Sequence, residues 1–189
     1  MLRVGSISNQ RGVGLIEILI SLIIVTTGLL GLAALQGKAQ KAEMESYERS
    51  QALILLRDMA ERLRANRPGR SEYLATVGYG SHFTDTASCT SGNGAAQDLS
   101  CWHMELSGSA ERTAAGEHSG AMMKGHGCIT SDNENDGNGF ILTVAWQGMT
   151  PVTSAPNDPR LANQCGQGLY GGEPYRRIVS TSVRFFKPN

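Results

Sequence analysis

The sequence predicts an α+β protein in which a long N-terminal helix, apolar enough in its first half to cross a membrane, packs by its second half on a small antiparallel sheet. Three observations carry this expectation. After a basic leader, residues 13–35 form an apolar run with a single charge, Glu17. From Ala52 to Leu63 apolar side chains recur at helical spacing and need a covering surface. Toward the C-terminal end, Phe140–Gln147 and Arg177–Phe186 alternate with the two-residue period of strands.

Composition sets the limits. A chain of 189 residues fits one domain plus an extended element better than two full domains. Its 17 basic and 17 acidic residues cancel, so no global field draws nucleic acid or an acidic partner, and no nucleic-acid role is evident. With 23 glycines and only 6% aromatics, the globular part reads as loop-rich rather than as a dense enzyme core. There is no Gly-x-Ser-x-Gly elbow and no Walker glycine loop, so nothing argues for catalysis or for a cofactor.

The apolar run comes first. At about 1.5 Å per residue it reaches ~35 Å, enough to cross a hydrocarbon core of ~30 Å with some tilt. Glu17 is its anomaly, because a carboxylate in a bilayer segment costs about 2–4 kcal/mol unless it finds a partner. It lies near the start of the run, where it can reach the headgroups. A cut after Gly12 offers a second solution: it creates a cationic amine at Val13 and leaves Glu17 fifth in the mature chain, so amine and carboxylate from neighbouring helices could neutralise each other.

The helix should then run without a strong breaker to Asn66, where Arg67-Pro68-Gly69 supplies a stop. Gly28 and Gly31 inside it each cost about 1 kcal/mol of helix propensity relative to alanine. Two readings of them are open, close helix packing in lipid and local melting on leaving the membrane. Gln36–Ser50 is polar and reads as a stalk. Ala52, Leu53, Leu55, Leu56, Met59, Ala60 and Leu63 form the apolar face that follows, with Arg57, Asp58, Glu61, Arg62 and Arg64 largely on a solvated side.

Beyond Pro68, residues 69–94 lack periodicity. A short helix is expected over Ala96–Leu106, with Leu99, Trp102 and Leu106 at spacings of three and four, then a surface loop over Ser107–Gly127. The clearest strand places Phe140, Leu142, Val144 and Trp146 on one face. Arg177–Phe186 is a second strand, and a shorter one surrounds Cys128 and Ile129. About 25 residues separate the two long strands, too many for a tight hairpin.

Four cysteines, Cys89, Cys101, Cys128 and Cys165, lie beyond the apolar run and should oxidise in pairs if that part is exported. A Cys128–Cys165 bond would contribute about 4 kcal/mol by loop closure and Cys89–Cys101 about 3 kcal/mol, but sequence leaves three pairings open. Cys101-Trp102-His103 and His126-Gly127-Cys128 carry zinc-ligand chemistry without the short spacing of zinc knuckles, and an oxidising compartment favours disulfides. His82 and His118 read as exposed loop residues. Asp132-Asn133-Glu134-Asn135-Asp136-Gly137 opens like a calcium loop, yet Thr143 stands where its twelfth-position acid belongs, so it reads as a polar turn. No metal is expected.

Gln10-Arg11-Gly12-Val13-Gly14-Leu15-Ile16-Glu17 resembles the type IV pilin signature, in which prepilin peptidase cuts after a glycine that precedes an apolar helix with glutamate fifth. Val13 stands where family members usually carry phenylalanine. Gly28–Gln36 and Arg57–Asn66 are similar to minor pilins of the PilV family, and the likeness is strongest over the first third of the chain. The resemblance implies a type IV pilin-like fold, cleavage at Gly12, N-methylation of Val13 and a role for Glu17 in assembly. It divides the chain into a leader (1–12), a transmembrane half-helix (13–35), a periplasmic half-helix (36–66) and a globular head (67–189).

The function implied is that of a minor pilin that helps prime pilus assembly and can sit at the tip. Its implied partners are prepilin peptidase, other minor pilins, the major pilin, the inner-membrane assembly platform and membrane lipid. The implied location is the bacterial inner membrane, with the head in the periplasm, and then a pilus on the cell surface. A minor pseudopilin of type II secretion shares the same N-terminus and is the nearest alternative. A membrane-anchored enzyme or metal-binding protein is the alternative of another class.

Overall fold

A computed structural model of the chain describes residues 14–74, 78–80, 89, 92–108, 122–132, 138–152 and 164–186. In order the elements are α1 (Gly14–Ala65), a 3-10 turn (Arg70–Tyr73), β1 (Tyr79–Gly80), α2 (Ala95–Ser107), β2 (His126–Ser131), β3 (Gly139–Gln147), a second 3-10 turn (Glu173–Tyr175) and β4 (Arg176–Arg184). Two compact units divide the chain, the second beginning at Met44.

α1 is unbroken over 52 residues. Its last turn closes with Asn66 N–H donating to Arg62 O at 3.1 Å. Pro68 then lacks the N–H that a further turn would need, and Asn66 Oδ1 accepts from Gly69 N at 3.3 Å instead.

In the second unit the sheet is antiparallel throughout, in the order β1-β2-β3-β4. β3 is central, and its alternation directs Phe140, Leu142, Val144 and Trp146 to one face, all buried. Ile129 of β2 and Val183 of β4 join them, and Ala52, Leu56, Met59 and Leu63 of α1 close the same core. This is the predicted arrangement, a long helix packed by its second half on a small antiparallel sheet.

α2 completes the core with Leu99, Trp102 and Leu106 and ends at Gly108, which takes the left-handed conformation (φ 74°) that lacks a penalty only without a Cβ. Trp102 is fully buried, and its indole N–H donates to Leu55 O at 3.2 Å. Gly127 makes that seat possible, because a Cβ there would stand 2.4 Å from the Trp102 ring.

The opposite face of the sheet has its own cover. Ala145, Cys128 and Ile178 pack with Cys165, Leu169, Tyr170 and Tyr175. The disulfide Cys128–Cys165 fastens this segment to β2, and a second disulfide joins Cys89 to Cys101 on α2. Thr143 and Ser180 share a hydrogen bond of 2.8 Å across β3 and β4 on the same face.

Four expectations need correction. Residues 69–94 contain β1, two residues that exist as a strand only through pairing with His126 and Gly127. Those same two partners belong to β2 rather than to the expected loop 107–127, and Met122 is buried. Leu53, expected on the covered face, is 49% exposed because the buried stripe of α1 is narrower than the apolar one. Arg62, expected to be solvated, is half-buried and pairs with Asp58 at 2.7 Å and with Glu105 of α2 at 2.9 Å.

Candidate assembly interface

Within the first unit α1 carries thirteen large apolar side chains from Leu15 to Leu35, each more than half exposed. The helix is long and apolar enough to cross a membrane, and none of its most apolar stretch is buried in the protein. The hydroxyls in this stretch bond to the helix's own carbonyls: Ser21 to Ile18 O at 2.9 Å, Thr26 to Ile23 O at 3.0 Å and Thr27 to Ile23 O at 2.9 Å. Each hydroxyl therefore arrives with its hydrogen bond already made, as a medium without water demands.

Glu17 lies near the start of the described part of α1. It is exposed. Gly12 and Val13 lie outside the described residues. A Cβ added at Gly28 or Gly31 would meet nothing within 4 Å, so no contact among the described residues requires either glycine.

The first turns of α1 in the second unit hold a polar site that sequence reasoning assigned to a solvated stalk. Glu45 Oε1 accepts from Thr150 N at 3.1 Å, from Thr150 Oγ1 at 2.8 Å and from Arg177 Nη2 at 3.2 Å. Arg177 Nη2 also donates to Thr150 O at 2.6 Å. Burial opposes ionisation of Glu45, but the two Thr150 donors and the Arg177 guanidinium outweigh it and hold its carboxyl below the usual range.

Glu48, one turn on, is 4% exposed, and its Oε2 has no hydrogen-bond partner among the described residues. Burial pushes its carboxyl up, the Met123 amide offsets this only in part, and the charge on Glu45 adds to the rise. The signal for both residues was their spacing: Glu45, Glu48, Ala52, Leu56 and Met59 continue one stripe at intervals of three and four. Their polar identity concealed it.

Other predicted chemistry resolves into structure. His126, Cys128 and Cys165 bring candidate ligand atoms within 4.8 Å of one another, but the two sulfurs are bonded to each other and neither is a thiolate. His103 is buried and its Nδ1 accepts from Gly80 N at 3.0 Å, which fixes β1 against α2. Asp132 accepts from Arg184 at 2.7 Å, while residues 133–137 of the calcium-like turn, together with His82 and His118, lie outside the described residues.

On the flank of α1 in the second unit, Leu53 and Ile54 remain exposed and line an open depression with Arg57, Asp58 and Glu61. The polar network around Arg62 closes the other side: Tyr73 donates its hydroxyl to Asp98, and burial together with that bond raises the phenol to about 12.

Residues 34–106 match the family model described as Tt1218-like, type IV pilin Tt1218. The match spans the polar part of α1, its covered face, the first turn and α2. It supports a type IV pilin family and, with the helix-on-sheet architecture, a type IV pilin-like α+β fold. No curated protein and no solved structure matches the chain.

Proposed function

We propose that this chain is a minor pilin of a type IV pilus, made as a membrane-held precursor, cleaved after Gly12 by prepilin peptidase and assembled through the first half of α1. One observation carries the reading: thirteen large apolar side chains of α1 that no other described residue buries, with a single carboxylate, Glu17, near the start of that run. The pilin match begins at residue 34, so the N-terminal motif and the match are independent supports.

The mechanism is burial followed by charge pairing. In the membrane, lipid covers the apolar helix; in a filament, neighbouring helices do, and Gly28 and Gly31 allow their backbones close approach. Cleavage gives Val13 a free amine, which is then methylated and remains cationic. Glu17 of one subunit meets the Val13 amine of the next in low dielectric, where either charge alone is expensive. The head faces the periplasm before assembly and the cell exterior afterwards, with other minor pilins, the major pilin and the inner-membrane platform as partners and a priming position at the tip.

Glu17→Ala tests the pairing. The variant should be cleaved almost normally but be depleted at least ~10-fold from sheared filaments, a discrimination that a pairing energy above about 1.4 kcal/mol provides. Equal incorporation of variant and wild type contradicts it. The alternative, a minor pseudopilin of type II secretion, shares the motif; a deletion that abolishes secretion and leaves pili normal selects it.

A further inference from the structure

Two asparagines of the second unit are each followed by glycine, in Asn93-Gly94 and Asn138-Gly139, and the sequence holds no other Asn-Gly step. That step carries a chemistry of its own. Because glycine has no Cβ, its amide nitrogen reaches the side-chain carbonyl of the preceding asparagine without steric hindrance and can close a succinimide ring on it. In an unfolded chain the two steps are equivalent; the fold makes them different.

Asn138 is held on every side. It is 9% exposed, its Oδ1 accepts from Arg70 Nη2 at 3.0 Å and its backbone carbonyl accepts from Phe185 N at 2.9 Å. Gly139 opens β3, its carbonyl accepts from Asp132 N at 3.1 Å, and a Cβ there would stand 1.7 Å from Asp132 Oδ2. Ring closure would turn the Asn138 amide away from Arg70 and pull the Gly139 nitrogen out of the line of the strand. It therefore requires β3 to open locally first.

Asn93 has no such restraint. It is exposed and stands just outside α2. Gly94 is tied to the helix through its carbonyl, which accepts from Asp98 N at 3.1 Å, so the peptide that precedes it lies outside the helical ladder. Gly94 takes φ 107°, a conformation that favours glycine, and a Cβ added there would meet nothing within 4 Å. The reacting pair has room to turn.

We propose that Asn93 is a self-modification site at the entry to α2, converted by the Gly94 nitrogen to aspartate and isoaspartate while Asn138 is spared. The Gly94 nitrogen bonds to Asn93 Cγ as the Cγ–Nδ2 bond breaks, and Nδ2 leaves as ammonia with the proton that Gly94 gave up. Water then opens the ring: cleavage of the new nitrogen–Cγ bond gives aspartate, and cleavage of the original peptide bond gives isoaspartate. Nothing is oxidised or reduced, and water and ammonia balance the step. Either product places a carboxylate ahead of the first turn of α2, which has no side-chain cap and favours negative charge. Isoaspartate also lengthens the main chain just before Ala95, which is 1% exposed and fixed in the core.

The test incubates the full-length chain in non-ionic detergent at mildly alkaline pH, folded or in urea, and maps tryptic peptides by mass. Trypsin separates the two steps, since Arg112 and Lys124 lie between them. Isoaspartate is read independently with an isoaspartyl methyltransferase and labelled S-adenosylmethionine. In the folded chain the Asn93 peptide should convert at least ~10-fold faster than the Asn138 peptide, and in urea the two rates should converge. Asn93→Gln, an exposed change that leaves the fold intact, should remove the label from the folded chain. Equal conversion of Asn93 and Asn138 in the folded chain overturns the proposal. So does an Asn93 that stays intact while the urea-unfolded chain converts, or a label that persists in Asn93→Gln.

Discussion

Residues 14–43 and 44–65 belong to one unbroken helix, yet their apolar side chains meet different fates. In the first stretch Leu22, Leu29 and Leu35 are 58%, 59% and 65% exposed; in the second Leu56 and Leu63 are 3% and 0% exposed. Helical propensity cannot distinguish them, since both are rich in leucine and alanine. What differs is that the second stretch has a sheet on the same chain to cover it. Leaving a leucine in water rather than burying it forgoes about 1.5–3 kcal/mol, and thirteen such residues in sequence make water an untenable final medium for the first stretch. No other described residue buries it, and on the proposed reading its cover comes from lipid or from other subunits.

The largest expected effect separates the two stretches directly. Leu63→Ala should cost the folded head about 2–5 kcal/mol in denaturant unfolding, because the side chain is fully enclosed. Leu29→Ala should leave that transition within about 0.5 kcal/mol and act only on incorporation into filaments. Equal effects of the two on head stability would dissolve the distinction.

Next comes the covalent tie on the far side of the sheet. Replacing Cys128 and Cys165 by serine opens a loop with a sequence separation of 37 and should cost about 4 kcal/mol, against about 3 kcal/mol for the 12-residue separation of Cys89 and Cys101. Melting each double variant checks the order.

A smaller, sign-bearing effect lies where the covered stretch begins. Glu45 is held below its ordinary value in the folded state, so its contribution is present above the unfolded pKa and is lost as pH falls through the folded one. Glu48 is held above its ordinary value, so stability present below the unfolded pKa is lost as pH rises through the folded one. Glu45→Gln should therefore lower the melting temperature at neutral pH and Glu48→Gln should raise it, with both differences shrinking in acid. The same sign for both variants at neutral pH contradicts the assignment. Smallest of all, Arg64→Gln removes an exposed pair with Glu61 and should shift stability by no more than about 0.5 kcal/mol.

Much of this was legible because periodicity is local. The stop at Pro68, the 3.6-residue spacing of Leu99, Trp102 and Leu106, and the alternation from Phe140 to Trp146 each follow from the geometry of one element. What escaped depends on residues distant in sequence. β1 is a strand only because His126 and Gly127 lie beside it. Glu45 is half-buried because Thr150 and Arg177 arrive from over a hundred residues away. The cover formed by Leu169, Tyr170 and Tyr175 has no period of its own and depends on the Cys128–Cys165 bond. At the candidate assembly surface, Glu17 was conspicuous as a lone charge in an apolar run, whereas the convergence of Arg67 and Arg70 on Phe185 had no sequence signal, since the three meet only in the fold.

On the proposed reading, processing prepares the exposed half of α1 for its neighbours. Mass spectrometry of the chain recovered from cells with an active prepilin peptidase reads this most directly. A mature protein that begins at Val13 with a methylated amine is the predicted result; a protein that still carries residues 1–12 would contradict the account, because the cation meant for Glu17 would never have formed.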